Sequence, residues 1–371
     1  MTKEICVIVG TRPGIIMMAP IIHALKQKNI PHYVIHTGQH YSPQMDSELF
    51  EDLDLPAADF HLTGVAEEST HATKTAKMMV GCEEVFLKRR PALVIVNGDA
   101  NTNLAGSLAA RKLGIILAHS EAGERSYDWR MPEEHNRRMM DHTSELLFTT
   151  GVKGKKILEG ENVPGQIHVT GNPIVDASHN HAILAQNQSN ILDEYNLKKH
   201  DYFLVTSHRE ENVDDPDRLT AILKGVQMGA EKMGLKAILP IHPRTRKNID
   251  HFNLNHLIQE NDRLITLPPL RYLDFMQMLV NARIVVTDSG GVQQESYIHK
   301  IPCVTIRDNT EWVETVEHNA NRIAGASDPN HIVHMMEDAL NAKNIDWSPI
   351  FGDGTAAQQI VKISYNYIQN R

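Results

Sequence analysis

One segment of the chain combines the residue types of a phosphate-binding loop, DSGGVQQE at positions 288–295. It follows an apolar, strand-like run and opens a pattern of helical period. Gly290 and Gly291 allow backbone N–H groups to approach a ligand closely, and a helix N-terminus attracts anionic oxygens. Ser289 adds a hydroxyl donor, and Glu295 suits a ribose diol better than a phosphate. The segment predicts a phosphate site, the alternative being a tight turn in which Ser289 only caps the helix.

Arginines at the ends of predicted strands offer the cations that such a site requires. The chain carries a formal net charge of −9, so an anionic ligand must be held by local contacts. Arg12 follows the first strand, Arg307 ends a later one, and Arg244 and Arg246 lie in HPRTR. A guanidinium fixed at a strand end suits bidentate contact with phosphate. For Arg12 a surface turn is the alternative.

Acidic residues cluster in the first half of the sequence. Asp99 and Glu121 each end a strand-like run, and Glu133 and Glu134 open an apparent helix. A single one is more often a cap or an ion pair, but carboxyl groups that share a site shift one another's pKa values and divide acid and base roles. His208 ends the first strand of the second half, where it could protonate a leaving phosphate.

Other chemistries find little support in the sequence. Neither GxGxxG nor GxxxxGK[ST] occurs, which argues against nicotinamide and kinase-type ATP sites. The cysteines are single and widely spaced, and although His36 and His40 share a loop, no HExxH or tight His/Cys cluster indicates a metal. The acidic balance argues against nucleic acid, no apolar run is long enough to span a membrane, and no signal peptide is evident. We therefore expect a cytoplasmic protein without cofactor or metal.

The elements that must position these residues alternate along the chain. The predicted strands are 5–10, 32–37, 93–98, 114–119, 145–149, 167–171, 202–206, 236–240, 264–267, 283–287 and 303–306. The predicted helices include 15–28, 70–87, 103–113, 217–233 and 272–282. This alternation indicates α/β architecture with doubly wound parallel sheets, because such apolar strands must be covered on both faces.

A polar region divides the strands into two series and predicts two Rossmann-like domains. The N-terminal domain, 1–173, would carry the catalytic carboxylates and be joined by a C-terminal helix at 354–371. The C-terminal domain, 174–353, would carry the phosphate site. Two such halves facing each other form a GT-B-like fold, and we expect the active site in the cleft between them, at the carboxyl ends of the strands.

Taken in order, short segments across essentially the whole chain resemble the non-hydrolysing UDP-N-acetylglucosamine 2-epimerases. They are GTRP (10–13), HTGQH (36–40), NGD (97–99), EAG (121–123), MPEEHNR (131–137), GNPIVD (171–176), SHREEN (207–212), HPRTR (242–246), DSGGVQQE (288–295) and RDNTEW (307–312). The resemblance implies a GT-B fold, a homodimer, no redox cofactor and a UDP-N-acetylhexosamine substrate, in the service of cell-surface polysaccharide synthesis. It also implies anti elimination of UDP to 2-acetamidoglucal, followed by re-addition with inversion at C2.

On the matching positions the resemblance implies a role for each candidate residue. The catalytic set would be Asp99, Glu121, Glu133 and His208. The substrate-binding set would be Arg12, Arg137, His242, Arg246, Phe275, Ser289, Gly290, Gly291, Glu295 and Arg307, with Glu295 on the ribose, Phe275 by the uracil and Arg12, Ser289, Gly290 and Arg307 on the diphosphate. A second, activating UDP-GlcNAc would meet Gln39, Arg209 and His242.

The chain departs from the family pattern where the substrate is expected. Gly14 stands in place of the usual Glu, Met17 in place of a Lys, and Ala100 in place of a Thr. Loss of the Lys affects the identity of the sugar more than the reaction class. A related sugar such as UDP-2,3-diacetamido-glucuronate, which Trp312 also suggests, is one alternative. A GT-B glycosyltransferase, a non-catalytic nucleotide-sugar sensor and, ranked lower, a hydrolysing epimerase are the others.

Overall fold

The computed structural model describes residues 3–39, 43–259 and 262–371 of the chain. Its contacts divide the protein into two compact units. The N-terminal unit comprises the chain up to Asn180 together with Phe351–Arg371, and the C-terminal unit is His181–Ile350. The sequence places the boundary at residue 173, whereas the contacts place it a few residues later, inside a helix. The second crossing, at residue 351, lies just before the predicted terminal helix at 354–371.

Strands and helices alternate through both units. The strands are β1 (Ile5–Val9), β2 (His32–His36), β3 (Phe60–His61), β4 (Leu93–Asn97), β5 (Ile116–Ala122), β6 (Leu146–Thr149), β7 (Gln166–Val169), β8 (Tyr202–Thr206), β9 (Lys236–Pro240), β10 (Leu264–Leu267), β11 (Val285–Thr287), β12 (Cys303–Thr305) and β13 (Asn321–Ile323). The helices are α1 (Arg12–Gln27), α2 (Pro43–Asp52), α3 (His71–Lys88), α4 (Asn101–Lys112), α5 (Pro132–Thr143), α6 (Val152–Gly160), α7 (Pro173–Gln188), α8 (Ile191–Glu194), α9 (Glu210–Val213), α10 (Pro216–Met233), α11 (Pro243–His251), α12 (His256–Gln259), α13 (Tyr272–Asn281), α14 (Gly290–Ile298), α15 (Val313–Glu317), α16 (Pro329–Asn341) and α17 (Ala356–Gln369).

The N-terminal unit is built on a parallel sheet in the order β3-β2-β1-β4-β5-β6-β7. Its central strands, β1 and β4, are buried over their whole length because Val and Ile fill both faces. From β1 the chain moves outward to β2, and it returns to place β4 on the other side of β1. The ends of β1 and β4 therefore flank the switch point where ligands of such sheets bind.

The C-terminal unit repeats this arrangement with a parallel sheet in the order β10-β9-β8-β11-β12-β13. Its switch point lies between β8 and β11. A core of Val, Leu and Ile side chains from the sheet, α10 and α16 closes one face. The two doubly wound parallel sheets confirm the predicted α/β class. The sequence missed β3 and β13, because edge strands of two and three residues are too short to show a period.

The C-terminal segment completes the N-terminal unit. The backbone N–H of Asn172 donates to the carbonyl of Phe351 at 2.8 Å. The buried carboxyl of Asp176 accepts from the N–H groups of Ala356 and Ala357 at 3.2 and 3.0 Å, so it caps the start of α17. That helix then packs on α1. Over the residues described, no helix combines the length and apolar character needed to cross a membrane.

Candidate functional site

Two side chains of α5 bind the residues that follow the carboxyl end of β4. The side chain of Asp99, which follows this strand, forms an ion pair with Arg137. Asn136, the neighbouring residue on α5, donates to the Asp99 carbonyl at 2.8 Å and to Asn101 Oδ1 at 3.1 Å. Two predicted site residues, Asp99 and Arg137, are thus brought together, although the sequence assigned Arg137 to the substrate and not to Asp99.

Glu121 lies at the end of β5 in a backbone conformation that non-glycine residues rarely adopt. Its φ is +67°, at a register shift between Ser120 and Ala122. Left-handed backbone at such a residue costs about 1–3 kcal/mol and is found mainly where a site requires it. The carboxyl group reaches over Gly98, where a Cβ would lie 3.1 Å from Glu121 Oε2, so only glycine leaves this space open. Glu121 is thereby carried next to the end of β4.

The environment of Glu121 favours its neutral form. Burial and the negative charges of Asp99 and Glu124 raise the pKa of Glu121 to about 8, against the opposing effect of Arg137 and a 3.5 Å hydrogen bond from Asn172. Asp99, by contrast, has a guanidinium in direct contact. Two neighbouring carboxyl groups with such different surroundings can act as proton donor and proton acceptor.

A buried hydrogen-bond network holds the segment around Glu121, whose backbone is strained. His119 Nδ1 lies 2.8 Å from Asp141 and its Nε2 lies 3.1 Å from the Gly98 carbonyl. Asp141 also pairs with Arg125 at 2.7 Å and accepts from the Gly123 N–H at 3.3 Å. Burial alone would raise the pKa of Asp141, but His119 and Arg125 outweigh it and keep that pKa low. The network thus connects the end of β4, β5, α5 and the loop after Glu121.

The adjacent acids Glu133 and Glu134 have separate environments. Glu134 is fully buried and accepts from the Ser126 N–H at 2.8 Å and from Arg138 at 2.9 Å. Burial raises the pKa of Glu134, but these donors outweigh it and the net pKa is lowered. Glu133 is half-buried and makes no hydrogen bond or ion pair within the described part of the chain. It lies four residues, about one helical turn, before Arg137, the residue that pairs with Asp99.

The departures at positions 17 and 100 have visible structural consequences. Asn97, which is buried, points its Nδ2 at Met17 Sδ from 3.5 Å, while its Oδ1 finds no partner among the residues described. Ala100 is the N-cap of α4 and offers no side-chain acceptor. The Oε1 atom of Gln39 takes that role instead, accepting from the Thr102 N–H at 2.7 Å and from its hydroxyl at 2.8 Å. Gln39 therefore caps α4, whereas His40 lies outside the described residues.

Arg12 is the first residue of α1, directly after β1. It is partly exposed, and within residues 3–39, 43–259 and 262–371 it has no ion-pair partner. A guanidinium without a partner at the switch point of a parallel sheet is available for an anionic ligand. In the same described ranges, no group of His, Cys, Asp and Glu side chains is arranged to hold a metal ion.

In the C-terminal unit, the DSGG segment forms the turn between β11 and α14. Ser289 is the N-cap of α14 and accepts from the Val292 N–H at 3.5 Å, so the capping role is present. Gly290 lies against Trp312, whose Nε1 donates to the Gly290 carbonyl at 3.0 Å. Around Gly291, by contrast, a Cβ would meet nothing within 4 Å. Because Ser289 takes the Val292 N–H, the first-turn N–H groups that remain for a ligand at this open helix end are those of Gly290 and Gly291.

His208, at the end of β8, is paired with the residue at the end of β11. Its Nδ1 lies 3.1 Å from Asp288 Oδ1, and Asp288 is completely buried. Burial raises the pKa of Asp288, but His208 and the backbone N–H groups of residues 208 and 209 outweigh it, and the net pKa is lowered. An ionised carboxylate accepts only, so the proton between the two groups belongs to Nδ1.

His242 lies near His208, with ring centroids 5.8 Å apart. It is the N-cap of α11, and burial, followed by the proximity of His208, lowers its pKa. The other predicted cations of this loop are already paired. Arg246 contacts Asp250 and Asn255, and Arg244 contacts Glu210 and Asp214. Arg246 is therefore paired within its own segment, and the substrate contact expected of it stays a prediction.

Arg307 is held by carboxylates. Its guanidinium lies 2.8 Å from Glu311 and 3.4 Å from Glu211. Glu311 also lies 3.8 Å from Arg209, whose side chain is partly exposed. Burial acts against the charge on Arg307, but Glu311 outweighs it and raises the pKa of Arg307. An anion binding to Arg307 would compete with Glu311.

Glu295 and Phe275 are connected through α13. The Tyr272 hydroxyl donates to Glu295 Oε1 at 2.8 Å and lies 3.2 Å from His181 Nδ1. Phe275 lies three residues after Tyr272, on the same side of that helix. Helix α13 thus carries Phe275, expected by the uracil, and binds Glu295 of α14, expected at the ribose, through Tyr272.

Sequence reasoning missed several residues that organise the site. They are Asn172, Asn136, His119, Asp141, Gln39 as a cap, Tyr272, Glu311 and Asp288 as the partner of His208. Most of these partners are separated by dozens of residues in the chain. One signal was present, since Asp288 ends a strand that must lie beside β8 at the switch point of a doubly wound sheet.

Two parallel, doubly wound sheets, each with polar side chains gathered at its switch point, define a two-domain α/β protein of the GT-B type. More specifically, the chain belongs to the UDP-N-acetylglucosamine 2-epimerase family, whose model matches residues 23–364. It is 43% identical to UDP-N-acetylglucosamine 2-epimerase of Methanocaldococcus jannaschii over 97% of this chain and 98% of the relative. It is 36% identical to UDP-2,3-diacetamido-2,3-dideoxy-D-glucuronate 2-epimerase of Pseudomonas aeruginosa, again over 97% and 98%.

The structural comparison agrees with the family assignment. The crystal structure of the M. jannaschii UDP-GlcNAc 2-epimerase in complex with UDP-GlcNAc and UDP superposes with a TM-score of 0.85 and 42% identity, covering 98% of this chain and 99% of that one. The resemblance drawn from the sequence motifs is therefore confirmed. The prediction that the protein is an epimerase is supported by the same relatives.

Proposed function

We propose that the protein is a non-hydrolysing 2-epimerase that interconverts UDP-GlcNAc and UDP-ManNAc. The observation that carries the proposal is the contrast between Glu121 and Asp99. Glu121 has a pKa of about 8 and is largely protonated at neutral pH, whereas Asp99 is paired with Arg137. Inversion at an unactivated carbon requires both a group that takes a proton and a group that returns one.

The proposed reaction has two halves. A carboxylate removes the proton from C2, the C2–H electrons form the C1=C2 bond, and UDP leaves with the electrons of the C1–O bond. The bound 2-acetamidoglucal is then attacked at C1 by the same UDP oxygen, while a carboxyl group delivers a proton to the opposite face of C2. Asp99, Glu121 and Glu133 are assigned to the proton transfers, and His208 to the departure and return of UDP.

Binding of the nucleotide is assigned to groups that offer N–H donors or positive charge. The open N-terminus of α14, with Ser289, Gly290 and Gly291, would hold phosphate oxygens, with Arg307 and Arg12 as the cations. Glu295, which Tyr272 holds through Oε1, would accept from the ribose hydroxyls, and Phe275 would lie by the uracil. Arg307 would exchange Glu311 for the diphosphate. Arg137 and Arg246, although paired to acids, belong to the proposed substrate-binding set as well.

Met17 affects the part of the proposal that concerns the identity of the sugar. A uronate such as the substrate named for the P. aeruginosa relative carries a carboxylate that needs a cation, and Met17 supplies none. Of the two relatives compared, the 43% identical one is named for UDP-N-acetylglucosamine. UDP-GlcNAc is therefore the first substrate to test, and the uronate the second.

The experiment is turnover of a panel of UDP-HexNAc sugars in D2O, followed at C2 by NMR. We expect conversion of UDP-GlcNAc with one solvent deuterium at C2 and no accumulation of free sugar. Glu121→Gln should lose activity by a factor of about 10²–10⁴. The matched control is Glu159→Gln on the surface of α6, which should be unchanged. Product without deuterium would reject the mechanism, released N-acetylmannosamine would indicate hydrolysis, and transfer to an added acceptor would indicate a glycosyltransferase. Tight UDP-GlcNAc binding without turnover would instead support a nucleotide-sugar sensor.

The proposal also includes a cytoplasmic homodimer activated by a second UDP-GlcNAc. Light scattering tests the oligomeric state, and a sigmoidal dependence of rate on UDP-GlcNAc tests activation. The residues expected to contact the activator are Gln39, Arg209 and His242. Arg209→Ala should make the rate curve hyperbolic, and a parent curve without sigmoidal shape would dismiss the activation.

A further inference from the structure

The carboxylate of Asp288 serves two sets of donors. Its Oδ2 accepts from the backbone N–H groups of His208 and Arg209, at 2.9 and 3.0 Å, and from Asn212 Nδ2 and Ser207 Oγ, both at 3.2 Å. Its Oδ1 lies 3.1 Å from the imidazole Nδ1 of His208 and 3.2 Å from the His208 N–H. Four donors from the short loop 207–212 therefore fix the carboxylate, and the carboxylate in turn holds the imidazole.

We propose that Asp288 is a positioning residue that fixes the tautomer and orientation of His208. With Nδ1–H directed at Asp288, the lone pair of Nε2 points away from the buried carboxylate. Nε2 is then the atom that can take a proton and return it. The inference rests on the proposed function, because it assigns His208 a partner for its part in UDP departure and return.

The two carboxylate oxygens of Asp288 have different roles. Oδ2 holds the loop, which is a structural role, whereas Oδ1 orients the imidazole of His208, which is the positioning role proposed here. Holding the loop requires an acceptor at the Oδ2 position, which an amide oxygen provides equally well. Fixing the Nδ1–H tautomer requires an acceptor at the Oδ1 position, where Asp288→Asn would place an NH2 group. In this variant the loop contacts can persist, but Nδ1 must accept and the proton moves to Nε2.

The test is a ¹⁵N NMR spectrum of histidine-labelled protein, in which the two tautomers have distinct ring-nitrogen shifts. The His208 signals are identified by their absence in His208→Gln. We expect the Nδ1–H tautomer in the parent and the Nε2–H tautomer in Asp288→Asn. A matched control is Asp215→Asn, because Asp215 also accepts two backbone N–H groups, at 2.9 and 3.1 Å, but only caps α10. It should leave the His208 spectrum unchanged.

Kinetics provide the second readout. Asp288→Asn should lower kcat by about 100-fold or more with little change in KM, since general acid–base catalysis contributes factors of this size. An Nε2–H tautomer in the parent would overturn the inference even if the variant did not fold. An unchanged tautomer or kcat in a folded Asp288→Asn protein would also overturn it. If the parent had no epimerase activity, the spectrum alone would still decide the positioning role, so the two proposals fail separately.

Discussion

Replacing Gln39 by Ala should destabilise the start of α4, and Ala100→Thr should compensate. Gln39 Oε1 is the side-chain acceptor for the Thr102 N–H, and Thr102 is 2% exposed, so water cannot replace it. Loss of a helix cap costs about 1 kcal/mol, and a buried donor left without a partner costs about 1–3 kcal/mol. We therefore expect Gln39→Ala to lower the free energy of unfolding by about 2 kcal/mol.

The compensation follows from the backbone of residue 100. Ala100 has φ −65° and ψ 155°, the extended conformation from which a Thr hydroxyl accepts the N–H of the second or third helical residue. In the Ala100→Thr background, Gln39→Ala should cost less than half as much, which gives a coupling energy of about 1 kcal/mol. Because α4 starts two residues after Asp99, turnover should fall in Gln39→Ala and recover in the double variant.

The assay is a double-mutant cycle from urea unfolding, with hydrogen exchange of the peptide covering residues 98–106 as the local readout. The exposed Gln186 on α7 offers the control, since Gln186→Ala should change neither quantity. Additive effects, with a coupling energy below about 0.3–0.5 kcal/mol, would refute the idea that Gln39 substitutes for a missing cap at position 100.

Substitutions at three further positions test the structure around the site. Glu121 has its pKa raised to about 8, so the folded state holds a proton that the unfolded state releases near pH 4.5, and stability should fall as the pH rises between these values. Glu121→Gln should lack this decrease, and Glu121→Gly, which relieves a φ of +67°, should be more stable by about 1 kcal/mol but inactive. Gly10→Ala should cost about 1–3 kcal/mol, because its Cβ would lie 2.0 Å from the Thr37 hydroxyl oxygen. Met17→Lys should lower KM for the uronate relative to UDP-GlcNAc by about tenfold, as expected for one charge-assisted hydrogen bond.

Each of these has a control and an outcome that contradicts it. Urea midpoints across pH 5–9 test Glu121, and a parallel decline in parent and Glu121→Gln would show that another group titrates. Gly160→Ala, at a helical glycine with open space around it, should stabilise slightly, in contrast to Gly10→Ala. Met17→Leu keeps the size without the charge, and an equal change in the KM ratio for Leu and Lys would rule out a charge effect.

The fold was largely accessible from the sequence because its signals are local. Apolar runs ending in Gly, Asp or His mark buried parallel strands, and the order of a doubly wound sheet then brings the ends of β1 and β4, or of β8 and β11, together. This is why Arg12 and Asp99, and separately His208 and Ser289, could be predicted to lie at strand ends, and the strand order then places them at the two switch points. The two short edge strands lacked such a signal.

The partners of the site residues could not be predicted in the same way. Asn172 meets Glu121, and Gln39 meets Thr102, across 51 and 63 residues of sequence. Such pairs depend on side-chain directions and loop paths that no periodicity encodes. The left-handed backbone of Glu121 is equally hidden, because nothing in EAG distinguishes a strained glutamate from a relaxed one. The chemistry of the site was therefore predictable as residue types, but its protonation states were not.

The return of the chain to the N-terminal unit has a consequence for synthesis on the ribosome. The contacts of Phe351 with Asn172, and of α17 with Asp176 and α1, are made by the segment Phe351–Arg371, which follows the C-terminal unit in the chain. The C-terminal unit, His181–Ile350, is continuous and has emerged completely before them. The unit that is translated first is therefore completed last, and until α17 arrives the nascent chain exposes the surface of α1 that this helix covers. A chain released before residue 351 would contain every residue of the C-terminal unit but would lack the segment that completes the N-terminal one.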